Sequence, residues 1–120
     1  MSPRLRMFTG LVTEGTRFVK DLREADERLR KFDTEPPTPE NAEETQDSRR
    51  EHEETVNQLR NDFGRLNPAE QKSFKEFFDE RKILLEKLQP KDPQTKDPDE
   101  RESMRRLEDL LFLGKTLGLE

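Results

Sequence analysis

The chain has 120 residues, enough for one domain. Apolar residues make up 28% and charged residues 42%, so the interior it can build is small. With no cysteine and one histidine it excludes a disulfide scaffold, a cysteine-ligated zinc site and a thiol nucleophile; the net charge of −5 argues against a globally basic nucleic-acid binder, and no direct nucleic-acid binding is expected.

Prolines divide the chain into four helical stretches. In the first, roughly 4–32, Phe8, Leu11, Gly15, Phe18, Leu22, Ala25, Leu29 and Phe32 alternate at spacings of three and four, a sustained heptad stripe. Its outer face carries Glu24–Arg28, Asp26–Arg30 and Glu27–Lys31, acid first at i,i+4, the orientation that supports a helix. The run Thr34-Glu35-Pro36-Pro37-Thr38-Pro39 stops this helix, because successive prolines lack amide donors and push their neighbours to extended geometry. Thr38 and Pro39 then read as the cap and first residue of a second helix over 39–64. Only its second half has an apolar stripe: Val56, Leu59, Phe63 and Leu66.

Asn67-Pro68-Ala69-Glu70 is a capping-box start for a third helix, roughly 68–89, expected to bury Phe74, Phe77, Phe78, Leu84, Leu85 and Leu88. Residues 90–97 are a polar, proline-containing linker. Asp97-Pro98-Asp99-Glu100 opens a fourth helix with Met104, Leu107, Leu110, Leu111 and Leu113, and Gly114 reads as its stop. Few β-branched residues and no hairpin signal compete with this pattern. The expected fold is all-α: an antiparallel helical hairpin extended to a small three- or four-helix bundle, with dimerisation one way of completing it. The expected organisation is a helical hairpin plus third helix over 1–89, the linker at 90–97, and a leucine-rich helix over 98–120.

The hairpin leaves a mismatch. Antiparallel pairing sets the polar residues 40–52 beside Leu22, Ala25, Leu29 and Phe32, so that stripe must be covered by a later helix, by a second copy or by a partner. A second anomaly is Leu110-Leu111-Phe112-Leu113, four consecutive apolar residues that encircle their helix. Either the helix is clasped on several sides or it presents part of this run to a partner.

Residues 42–49, Ala-Glu-Glu-Thr-Gln-Asp-Ser-Arg, followed by Leu59, Phe63 and Leu66, resemble the second helix of tubulin-binding cofactor A, a family of small three-helix tubulin chaperones whose chains also begin with a short basic segment. The resemblance covers about a fifth of the chain. The proline-rich loop, the phenylalanine-rich third helix and the leucine-rich fourth depart from that pattern, so a chaperone of this type stands as a minor alternative.

Catalytic and cofactor sites are not expected. His52, in Glu51-His52-Glu53-Glu54, lacks a second ligand at i±3 or i±4 and reads as a solvated helix histidine rather than a metal ligand. Gly114-Lys115-Thr116 lacks the preceding glycine of a phosphate-binding loop, position 109 being Asp109. No carboxylate stands in an apolar setting of the kind that raises a pKa for acid catalysis. Gly10, Gly15 and the threonines near them weaken the first helix; this segment is expected to pack, with contact to a membrane surface through Leu5, Met7, Phe8, Leu11 and Val12 the weaker alternative.

No apolar run approaches the roughly 18–20 residues of a membrane-spanning helix. A cytoplasmic location is expected, with a mitochondrial one the minor alternative because the first twenty residues are poor in acids. The expected function is that of a non-enzymatic helical adaptor, assembly factor or small chaperone. It would bind a protein partner, or itself as a homodimer, through Leu22, Leu29 and Phe32 and through Leu107, Leu110, Leu111 and Phe112. The alternative is an acidic inhibitor: residues 33–57 carry nine acids against Arg49 and Arg50, and could mimic a polyanion in a basic cleft.

Overall fold

The structure, a computed structural model, describes residues 2–13, 17–35 and 38–119. Among them the chain forms five helices and no strand: α1 (Pro3–Thr13), α2 (Arg17–Thr34), α3 (Ala42–Gly64), α4 (Pro68–Lys87) and α5 (Pro98–Leu117). They pack as a bundle in which α5 contacts α2, α3 and α4, while α1 lies on α4 and α2 on α3.

Local chemistry explains most boundaries. Asn67 Oδ1 accepts from the Glu70 amide at 2.8 Å, and Glu70 Oε1 accepts from the Asn67 amide at 3.3 Å, the reciprocal capping box that the sequence predicts. Asp97 Oδ1 accepts from the Asp99 amide at 2.9 Å with Pro98 in the first turn of α5. Two expected boundaries move. Asn41 donates its amide to the Thr38 carbonyl at 2.9 Å, closing a separate turn, so α3 starts at Ala42 instead of Pro39. Gly114 does not stop α5. It is buried inside the helix, which runs on to Leu117 and ends at Gly118, the residue with a left-handed φ of 77°. The Leu119 amide then donates to Gly114 O at 2.8 Å and the Gly118 amide to Lys115 O at 3.3 Å, the paired bonds of a Schellman motif.

The expected helix over 4–32 is seen among the described residues as two segments, and residues 14–16 between them lie outside the described residues. α1 ends at Thr13 and α2 begins at Arg17, and Gly15 of the heptad lies outside the described residues. The register shifts across this point: Val19 is buried, whereas the stripe residue Phe18 is 44% exposed. A heptad persists only where one neighbour faces it throughout. Here α1 faces α4, and α2 faces α3 and α5, so the two segments obey different partners.

The core is built on phenylalanine. Phe8 of α1, Phe63 of α3 and Phe74 of α4 form a triangle with ring centroids 5.4, 5.7 and 5.6 Å apart, each pair edge to face. Such pairs add about 0.5–1.5 kcal/mol each beyond area burial. Leu5, Val12, Val19, Leu22, Leu59, Leu66, Phe78, Leu85, Leu110 and Leu113 complete the cluster. Ser2 donates its hydroxyl to Glu70 and thereby aligns the start of α1 with the start of α4. Leu5, Phe8 and Val12 are thus core residues of this docked segment, while Met7 faces solvent. Leu84 of α4 and its C-cap residue Leu88, expected inside, are exposed, and so is Ile83. Phe74, Phe78 and Leu85 form the one stripe that meets the core, and a helix that meets its neighbours on one side cannot bury apolar residues all round.

The molecule is a plate, 47 × 40 × 20 Å, with a radius of gyration of 16.3 Å. A spherical domain of this length would have about 14 Å. The excess comes from the second half of α2 and the first half of α3, whose buried residues are Leu29 and Thr45 and lie outside the core cluster.

Candidate partner-binding groove

The stripe on α2 floors an open groove. Phe18, Leu22, Ala25, Leu29 and Phe32 line one side. Thr45, Ser48, His52 and Thr55 of α3, one helical turn apart, line the other. The groove encloses about 820 Å³. Asp33 lies 3.5 Å from Arg49 and Asp26 lies 3.5 Å from His52 Nε2, which marks the residues that stand level on the two helices. Asp21, Arg28, Lys31 and Glu35 stand on the α2 side of the groove, two acids and two bases, and Glu44 and Glu51 on the α3 side.

The expected contact residues separate into two groups. Leu22 and Leu29 are buried individually but form the groove floor, and Phe32 is half-buried there. On α5, Leu110 is buried in the core, and Leu107 and Phe112 pack against it, while Leu111 is 37% exposed. The run 110–113 is therefore clasped on several sides, by α2, α3 and α4. The structure brings Leu22, Leu29 and Phe32 together and sets Leu107 and Leu110 elsewhere, within the bundle.

His52 is not the solvated histidine the sequence implies. Its side chain is 11% exposed and separates the 820 Å³ groove from a second one of about 460 Å³ on the other face of α2 and α3. Nε2 faces Asp26, and Nδ1 is buried with no hydrogen-bond partner. Ser48 lies one turn before it, which assembles a serine, a histidine and an aspartate in one region. The constellation lacks the connections of a nucleophilic triad: Nδ1 accepts nothing from Ser48, and all these groups sit mid-helix, where backbone amides are consumed by i→i−4 bonds and none is left to hold an oxyanion. Among the described residues no group of three or more His, Asp or Glu side chains is placed to hold a metal ion. A cavity beside Leu11, Arg81 and Asp109 is only about 20 Å³, room for a water molecule and not for an organic ligand.

The contact between α2 and α5 is anchored by charge. Asp109, on the leucine-rich helix, is buried and accepts from Arg23 Nε at 2.6 Å and from Arg105 at 2.6 Å. Arg23 also donates to Glu27 at 2.7 Å and lies 3.4 Å from Glu108. Burial acts to lower the Arg23 pKa, but its bonds to Asp109 and Glu27 outweigh it and the net direction is up. Arg105 is likewise raised, first by its bond to Glu102, and Glu102 in turn is held below the usual carboxylate range by Arg105. This network welds α2 to α5. Nothing in residue type announced it. The one local sign is the i,i+4 spacing of Arg105 and Asp109 beside Leu107 and Leu110, where a carboxylate among leucines must find cations once the helix packs. At the other end, Arg60 of α3 donates to the Thr116 carbonyl at 2.8 Å and so caps the end of α5.

No family model, curated protein or solved structure matches the chain. No helix among the described residues is long and apolar enough to cross a membrane. The functional reading therefore rests on the groove.

Proposed function

We propose that this protein is a non-enzymatic helical interaction module, an adaptor, assembly factor or small chaperone, that takes an amphipathic helical surface into the groove between α2 and α3. In this reading α2 and α3 are an antiparallel hairpin whose open face is completed on binding, by a partner protein or a second copy. One observation carries it: the apolar stripe of α2 floors an 820 Å³ groove whose opposite wall is polar, and although Leu22 and Leu29 are buried, Phe18 is exposed and Ala25 and Phe32 are only partly covered. Fully burying a large apolar side chain contributes roughly 1.5–3 kcal/mol. Phe18, 44% exposed, and Phe32, half-buried, hold part of that in reserve.

The acidic-inhibitor reading draws less support. Arg49 and Arg50 interrupt the acids and pair with Asp33 at 3.5 Å and Asp47 at 2.6 Å, which breaks the continuous negative face a polyanion mimic needs.

The test is photo-crosslinking in the native cell from position 25, in the middle of the groove floor. Discrete adducts are expected there and not from position 101 on the exposed surface of α5. Equal labelling at the two positions, or none at position 25, refutes the reading.

A further inference from the structure

Charge is spread unevenly along the groove. Its lining carries four acids, Asp21, Glu35, Glu44 and Glu51, against two bases, Arg28 and Lys31. Asp26 meets His52 and Asp33 meets Arg49, so later residues of α2 stand level with earlier residues of α3. On that scale Arg28 and Lys31 fall on either side of Glu51, and the middle of the groove has charges of both signs facing each other. Glu35 falls level with Thr45, beside Glu44, so the end of the groove at Phe32 has an acid on each side. Lys31 stands one turn before Glu35, yet among the described residues no base forms an ion pair with Glu35 or Glu44. The nearest bases of α3 are engaged elsewhere, Arg49 with Asp33 at 3.5 Å and Arg50 with Asp47 at 2.6 Å. At the far end Asp21 has Arg17 at 3.8 Å. Between Glu35 and Glu44 lies Phe32, a half-buried ring. An aromatic face beside two carboxylates fits a side chain with an apolar stem and a cationic head. Lysine and arginine have that form: the stem lies along apolar surface, and a cation near a ring is attracted by its π face. An acidic side chain at the same place meets two like charges, and a purely apolar one takes water from both glutamates without replacing it.

Resting on the groove as the docking surface, we infer that its occupant is an amphipathic helix of a partner protein with lysine or arginine in a terminal turn, its apolar stripe along the α2 floor and its base over Phe32 between Glu35 and Glu44. The stripe from Phe18 to Phe32 runs about 21 Å along α2, the length of a helix of about 15 residues. The side chains of the opposite wall, Thr45, Ser48, His52 and Thr55, are short or flat and leave the room that a third helix needs above the floor. The mixed charges at Arg28, Lys31 and Glu51 ask for an occupant that is neutral in its middle. The selective charge therefore sits at the end.

The experiment measures binding of two fluorescent helical peptides to the purified full-length chain. Both carry leucine on one face and glutamine in the middle of the other; one has lysine in its two terminal turns and the other glutamate. Wild type should bind the lysine peptide at least tenfold more tightly than the glutamate peptide. E35K/E44K should reverse that order with unchanged helical circular dichroism. E76K/E86K, which alters net charge equally but on exposed positions of α4, should keep the wild-type order. Should E35K/E44K lose helicity, E35Q/E44Q serves in its place and should abolish the preference. Equal affinities for wild type overturn the inference, as do a preference that survives E35K/E44K or E35Q/E44Q, a preference lost equally in E76K/E86K, and no binding of the lysine peptide at about 100 µM. If charge selection fails in any of these ways while position 25 still captures a discrete protein in cells, the interaction-module reading stands. If position 25 captures nothing, both fail.

Discussion

Replacing Asp109 by Asn is the sharpest test of how α5 is held. The substitution keeps the shape and removes the charge that two guanidiniums share. The carboxylate has 9% of its side chain exposed, Arg23 has 12% and Arg105 has 23%, so all three are substantially withdrawn from water. Removing one partner from a buried pair costs about 3–5 kcal/mol, because the remaining charge is left uncompensated. The lower end applies here: Arg23 retains Glu27 and Glu108, and Arg105 retains Glu102. A loss of about 3 kcal/mol is expected, against a total of about 5–15 kcal/mol for a domain of this kind. Urea denaturation followed by far-ultraviolet circular dichroism measures it. A companion variant, R23M/D109L, replaces the cross-helix pair by apolar side chains and should recover most of the loss, as buried pairs exchanged whole for hydrophobic residues often do. A loss below about 1 kcal/mol for Asp109→Asn would show that the ion pairs are solvated in solution and that the burial argument is wrong.

Three further outcomes follow from the same structure. Glu102 is held below the usual carboxylate range by Arg105, so it binds protons less readily folded than unfolded; its contribution is complete above the unfolded value of about 4.3 and is lost as the pH falls through the lower folded value. Urea midpoints measured from pH 6 down to pH 2 should therefore fall less steeply for Glu102→Gln than for wild type, and parallel curves would refute the assignment. On α4, Phe74→Ala should cost about 3–5 kcal/mol, since Phe74 is fully buried and touches Phe8, Phe63 and Phe78. Leu88→Lys, at a residue 55% exposed, should change stability by less than about 0.5 kcal/mol, and the reverse ranking by thermal melting would mean that α4 is rotated about its axis.

The helical class and several boundaries were legible from the chain alone because they depend on short-range chemistry. A helix start needs an acceptor for its free amides, and Asn67 and Asp97 supply one within three residues of the bonds they make. The phenylalanines of the core announced themselves by periodicity, as did the α2 stripe. Three features were decided by tertiary packing. The docking of α1 on α4 and of α2 on α3 and α5 is a choice of neighbours that no local pattern encodes. The burial of His52 and Asp109 depends on which helix arrives over them, and their own neighbours in sequence are charged or apolar without distinction. The groove depends on α3 setting Thr45, Ser48, His52 and Thr55 opposite the α2 stripe instead of apolar side chains that would fill it. Local propensity chooses the helices, and long-range apolar contact chooses which of their faces remain for a second molecule.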